Sequence, residues 1–155
     1  MKEKFGRGFS LIEILLVIAV VSIISAVILF SFSTLNKSYV LEGATQNIAS
    51  LIKDARMRTL SLQNDSEYGI HIASSSVVLF PGSLFVGGNP SNETFVLPQQ
   101  VAVGTTTLSG VGFDLVFSRL KGIPSQFGTT SVYLLSEPSK YKTIIIRESG
   151  LIEIR

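Results

Sequence analysis

The sequence contains no cysteine, so it can form neither a disulfide nor a thiolate-rich zinc or iron–sulfur site, and it offers no cysteine nucleophile. Its folded part must hold together by packing and strand pairing alone. Histidine is nearly as scarce. His71 is the only one, and any imidazole-based dyad or triad would have to use it. It alternates with Ile70 and Ile72 in a strand-like run, which reads as a half-exposed structural histidine. Convergent metal ligands are also missing; only Asp65 and Glu67 lie close together, and a solvated loop explains that pair. Gly87-Gly88 lacks the Lys-Ser/Thr that a phosphate loop requires. No enzymatic activity, cofactor or metal is expected from these residues.

Charge is the third scarcity, at 15% of residues against about 25% in average soluble chains. The deficit is concentrated. From Ile14 to Asn36 no residue is charged, whereas the sequence from Lys37 onward has the balance of an ordinary small globular domain. The overall charge of +2 owes much to Lys2, Lys4 and Arg7 ahead of the apolar run, so the basic pI does not by itself indicate nucleic acid. Late in the chain Arg119, Lys121, Lys140, Lys142, Arg147 and Arg155 are candidates for contacts with DNA. Asp114, Glu137, Glu148 and Glu153 are interspersed among them, and phosphate affinity needs clustered, uncompensated cations. A solvated mixed-charge surface is the expectation there.

The apolar run is too long for the core of an ordinary secretory signal, about 7–15 residues. It suits a membrane-spanning helix, which needs about 20. In lipid a helix satisfies its backbone groups internally, so helix is expected despite the many Val and Ile. The basic residues before it place the N-terminus on the cytoplasmic side and the C-terminal body outside.

Two features do not suit a plain anchor. Gly6-Arg7-Gly8 precedes the apolar run, the wrong end for a conventional signal-peptide cut, and Glu13 interrupts that run five positions after Gly8. A carboxylate within a membrane costs about 2.5–3.5 kcal/mol on insertion scales, which marks it as a candidate functional residue. Either Glu13 sits near the headgroups and Gly8 merely starts the helix, or Glu13 serves as the partner of a buried cation. Two opposite buried charges are tolerated where one alone is penalised.

Arg7-Gly8-Phe9-Ser10-Leu11-Ile12-Glu13 resembles the class III signal of type IV pilins and type II secretion pseudopilins. The resemblance implies cleavage by a prepilin peptidase between Gly8 and Phe9 and N-methylation of Phe9. It also gives Glu13 a role in assembly and registration, pairing with Phe9 of a neighbouring subunit. Implied partners are that peptidase, the membrane platform protein, other pilins in a helical filament, and the cytoplasmic (inner) membrane. After assembly the filament would be periplasmic or extracellular. The competing reading is a single-pass protein whose external β-domain binds DNA or another ligand, as in competence.

Beyond the membrane segment, Leu41, Ala44, Ile48, Leu51, Ala55 and Leu62 recur at helical spacing, with Arg58 breaking the face. Lys37, Glu42, Lys53, Asp54, Arg56 and Thr59 fall largely off it. The spacing predicts one long helix over about 9–62. From Tyr68 short β-rich runs follow: Tyr68–Ile72, Val77–Phe80, Thr94–Leu97, Gln100–Val103, Phe113–Phe117, Ser131–Leu135, Lys142–Arg147 and Leu151–Ile154. Ser149-Gly150 marks a tight hairpin between the last two, and the nearly uncharged stretch 73–112 reads as mostly buried or filament-facing strands.

Asp54-Ala55-Arg56, Tyr68-Gly69-Ile70, Phe80-Pro81-Gly82, Phe117-Ser118-Arg119-Leu120-Lys121-Gly122 and Ser149-Gly150-Leu151-Ile152 are similar to segments of the GspH/FimT-type minor pseudopilins. That likeness implies an α+β pilin fold, with a long helix packed against a C-terminal antiparallel β-sheet domain of two sheets. The expected organisation is a leader at 1–8, a transmembrane and filament-core helix at 9–36, its amphipathic continuation at 37–62, and a β-rich domain at 63–155.

Overall fold

The computed structural model describes residues 9–110 and 112–155, apart from the side chains of residues 30–34. Its first element, α1, is a helix of 50 residues, Leu11–Leu60. A short 3-10 turn, Gln63–Asp65, follows. Eight strands complete the chain: β1 Tyr68–Ile72, β2 Ser76–Pro81, β3 Glu93–Val96, β4 Val101–Leu108, β5 Asp114–Val116, β6 Gly128–Leu134, β7 Glu137–Ile146 and β8 Ile152–Ile154. The chain divides into two compact units between Asn36 and Lys37.

In the second unit the strands form two antiparallel four-stranded sheets, ordered β3-β2-β1-β5 and β4-β6-β7-β8. The fold is α+β, as the sequence predicts. One hydrophobic cluster joins α1 to both sheets through Ile48, Ile52, Ile70, Leu115, Val132 and Ile144, all fully buried. Alternation explains much of it. In β6 Thr130, Val132 and Leu134 face the core while Thr129, Ser131 and Tyr133 face away.

The helix face differs from its predicted register. Leu41, Ala44, Ile48 and Ala55 are buried, but Leu51 is half-buried and Leu62 is exposed. Leu62 lies in the left-handed turn past the helix end, and Ile52 fills the core position instead. Thr59, expected off the face, is fully buried. Its hydroxyl donates to the Ala55 carbonyl at 2.9 Å and accepts the Tyr68 N–H at 2.9 Å. Thr45 is buried by the same device, donating to the Leu41 carbonyl at 2.8 Å. A hydroxyl satisfied by its own helix costs little to bury. Thr59→Val is therefore expected to destabilise the domain by about 1–3 kcal/mol, because the Tyr68 N–H loses its acceptor. A lowered urea midpoint, restored by Thr59→Ser, checks this.

The stretch 73–112 is less buried than expected. Of β3, Glu93, Thr94 and Val96 are exposed, because β3 is the edge of its sheet and pairs only with β2. β4 extends to Leu108 rather than ending at Val103, crossing an irregular register between Val103 and Thr106. The hairpin between β7 and β8 is tight, as expected, with three loop residues. Arg147 N–H bonds the Leu151 carbonyl at 2.9 Å, enclosing Glu148, Ser149 and Gly150. Gly150 takes φ +79, the left-handed residue such a three-residue hairpin needs.

β2 is buried on both sides, which its unbroken apolar run anticipated. Val77 and Leu79 enter the main core, while Val78 and Phe80 lie outside that cluster yet are still buried. The Phe80 ring sits over Gly69, where a Cβ would come within 2.5 Å of it. A loop between β2 and β3, residues 82–92, brings Phe85 edge-on to Phe80, with ring centroids 5.5 Å apart.

Candidate assembly site on the N-terminal helix

Ser10 precedes α1, and its carbonyl accepts the Ile14 N–H at 3.2 Å, the first full helical bond. The same carbonyl accepts the Glu13 N–H at 3.0 Å. Ser10 is thus the residue capping the helix, and Glu13 follows it by three positions, the Ser-x-x-Glu spacing of a capping box. The spacing is visible in the sequence, but the side-chain hydrogen bonds of a closed box are not formed among the described residues. A carboxylate in the first turn also complements the positive end of the helix dipole.

The Glu13 side chain is exposed and forms no ion pair among the described residues. Phe9, four residues earlier, is 77% exposed. Gly8, expected at the cleavage point, lies outside the described residues, as do Lys2, Lys4 and Arg7.

From Leu11 to Leu29 the helix is long and apolar enough to cross a membrane, and none of that stretch is buried within the chain. Leu11, Ile12, Leu16, Ile24 and Ile28 are all more than half exposed, and at helical spacing they are distributed around the whole axis. A helix apolar on all sides needs lipid or other helices around it. Ser22 does not spoil this, since its hydroxyl donates to the Ile18 carbonyl at 2.7 Å.

The six late cations are dispersed and mostly compensated. Lys142 pairs with Glu42 at 3.1 Å, and Lys140 with Glu137 at 2.8 Å, beside Lys37 near the start of the domain's helix. Arg119 pairs with Asp65, just past the end of that helix. Arg147 holds Glu153 through both carboxylate oxygens. Lys121 and Arg155 carry no ion pair among the described residues. The acids respond as paired groups do. Lys140, then Lys37, hold the Glu137 carboxyl below its ordinary range, and Arg147 does the same for Glu153. Gln46 and Lys142 lower Glu42. Arg58 is raised by Glu93 and Asp54 and lies over the Tyr68 ring at 5.8 Å.

His71 is half-buried and bonds Asp114 through Nδ1 at 2.6 Å. No group of three or more metal-ligating side chains occurs among the described residues.

An apolar helix opened by a capping serine and a lone carboxylate, leading into two antiparallel sheets, is a pilin-like architecture. Consistent with this, residues 6–29 match the family model described as the prokaryotic N-terminal methylation motif. In fold the chain is similar to the minor pseudopilin EpsH of the type 2 secretion system of Vibrio cholerae. That likeness has a TM-score of 0.55 at 10% identity and covers 74% of this chain and 95% of that one. It is also similar to the type IV minor pilin FimU of Pseudomonas aeruginosa, with a TM-score of 0.54 at 13% identity, covering 74% of this chain and 92% of that one. No curated protein matches the sequence significantly. The chain thus combines a prepilin-type methylation motif with the fold of minor pilins and pseudopilins.

Proposed function

We propose that this chain is a structural subunit, a minor pilin or pseudopilin of the GspH/FimT type, in a type IV pilus or a type II secretion pseudopilus. The observation that carries the proposal is the Glu13 carboxylate, without an ion pair among the described residues, four residues from Phe9 at the exposed start of a wholly apolar helix. A prepilin peptidase cuts between Gly8 and Phe9 and methylates the new amine. Lys2, Lys4 and Arg7 hold the N-terminus inside during insertion, so the β-domain faces outward. In the filament Glu13 of one subunit faces the Phe9 ammonium of the next, and neighbouring helices take the place of lipid around Leu11–Leu29. Leaving the membrane then forfeits little apolar burial, and an assembly motor acting through the platform protein supplies the work.

The balanced charges around Lys140, Lys142 and Arg147 favour a solvated surface over a DNA-binding face. Deleting the motor in the native host tests the proposal. The chain is expected to move from the sheared-filament fraction into the membrane fraction. A chain found in the membrane fraction with and without the motor would instead be an anchored β-domain.

A further inference from the structure

We propose that His71 is a protonation-sensitive clasp that closes the loop 82–92 over a second apolar cluster on the outer face of the β3-β2-β1-β5 sheet. The Phe85 ring stacks on the imidazole with centroids 4.0 Å apart and planes 6° from parallel. Beneath it Phe80 is 1% exposed, although it belongs to the sheet face that points away from the main core. Phe85 is part of what keeps Phe80 dry.

The two halves of the loop are held differently. The second half is braced by its own hydrogen bonds: Asn92 Nδ2 donates to the Val86 carbonyl at 2.9 Å, and Ser91 N–H to Asn89 Oδ1 at 2.9 Å. The first half is fastened through Phe85, gripped by His71 and by the edge of Phe80. Leu84 and Val86 on either side are exposed and add little grip.

Asp114, from β5, is the titratable group that faces the ring, through Nδ1. The other elements around His71 are uncharged: Val78 lies opposite on β2, and Ser74, Val103, Thr106 and Phe113 help to line a cavity of about 340 Å³ beside it. With Nδ1–H donating to Asp114, the second proton goes on Nε2. It converts a hydrogen bond from a neutral ring to a carboxylate into an ion pair, and a ring–ring stack into a cation facing an aromatic plane. The second change favours the clasped loop, since Phe85 carries the contact between ring and loop, so acid tightens it and higher pH loosens it. Loosening bares Phe80, Val78 and Phe85 together, an apolar surface that the closed loop hides.

Hydrogen exchange of the full-length chain in detergent micelles tests this at pH 5.5 and 7.5. After correction for intrinsic exchange, amides 83–86 are expected to be about three- to tenfold better protected at the lower pH. The difference should vanish in His71→Gln and in Phe85→Leu, which removes the cation's aromatic partner without touching the titrating group. Equal protection of the unaltered chain at both pH values would overturn the proposal. So would a pH difference that survives in either variant. Filament assembly does not enter this readout, so the clasp stands or falls separately from the proposed function.

Discussion

Glu13→Gln should remove the chain from filaments almost as completely as Glu13→Ala, while both variants still insert in the membrane. The comparison separates the two roles that Glu13 can have. Glutamine at this position keeps the Ser-x-x-Gln spacing of a capping box, so any preference that spacing gives to the start of the helix is preserved. It carries no charge, however, and leaves the neighbouring Phe9 ammonium buried without a counterion. Breaking one side of a buried pair costs about 3–5 kcal/mol, which corresponds to roughly two to four orders of magnitude in incorporation. Insertion should not suffer, because removing a carboxylate from an apolar helix makes entry into lipid easier. Quantifying the chain in sheared and membrane fractions checks both halves. If Gln assembles as well as Glu while Ala does not, Glu13 acts as a cap, and the charge-pairing account is wrong.

The second large effect is expected from a single methyl group. Gly128 opens β6 and is paired on both sides, with Leu108 of β4 and Ile146 of β7. Its φ is +151, and a Cβ there would lie 2.0 Å from the Thr107 carbonyl oxygen. Backbone is what it meets, so no side chain can swing aside. Gly128→Ala must prise β4 from β6, and Thr130, Val132 and Leu134 all enter the core from β6. We expect a loss of about 3 kcal/mol or more, a large share of the roughly 5–15 kcal/mol that holds a typical domain. Gly43→Ala is the matched control. Gly43 lies within α1 with nothing near its missing Cβ, so alanine there should gain about 0.5–1 kcal/mol. Thermal melting of the two variants followed by near-ultraviolet circular dichroism should shift in opposite directions.

The sequence made the architecture readable where the signal was local. The uncharged run required a helix, and each of the eight β-rich runs corresponds to a strand, with ends shifted by a few residues at most sites. The β4 run reads in the sequence as ending at Val103; Gly104 and Thr105 are the irregular point through which the strand continues to Leu108. The helix face was misjudged at Thr59 because a hydroxyl that bonds its own helix packs like an apolar group, and composition does not reveal that. Strand order was not legible. β1 pairs with β5 across more than forty residues, and nothing local in Tyr68–Ile72 specifies that partner.

The candidate site divides the same way. Glu13 stood out because a charge in an apolar run is conspicuous one residue at a time. The compensation of Lys142 and Arg119 depends on acids far away in the chain, Glu42 and Asp65. The His71–Phe85 stack joins a strand to a loop and left no mark at either position. Pairwise contacts of this kind are set by tertiary packing, which periodicity does not encode.

The apolar helix Leu11–Leu29 is exposed among the described residues, and the central claim is that similar helices cover it once the leader is gone. Mass spectrometry of the chain recovered from sheared filaments addresses this most directly. The expected result is a polypeptide beginning at Phe9 with a methylated amine. A chain that retains Met1 through Gly8, in cells where it never enters a fibre, would contradict it.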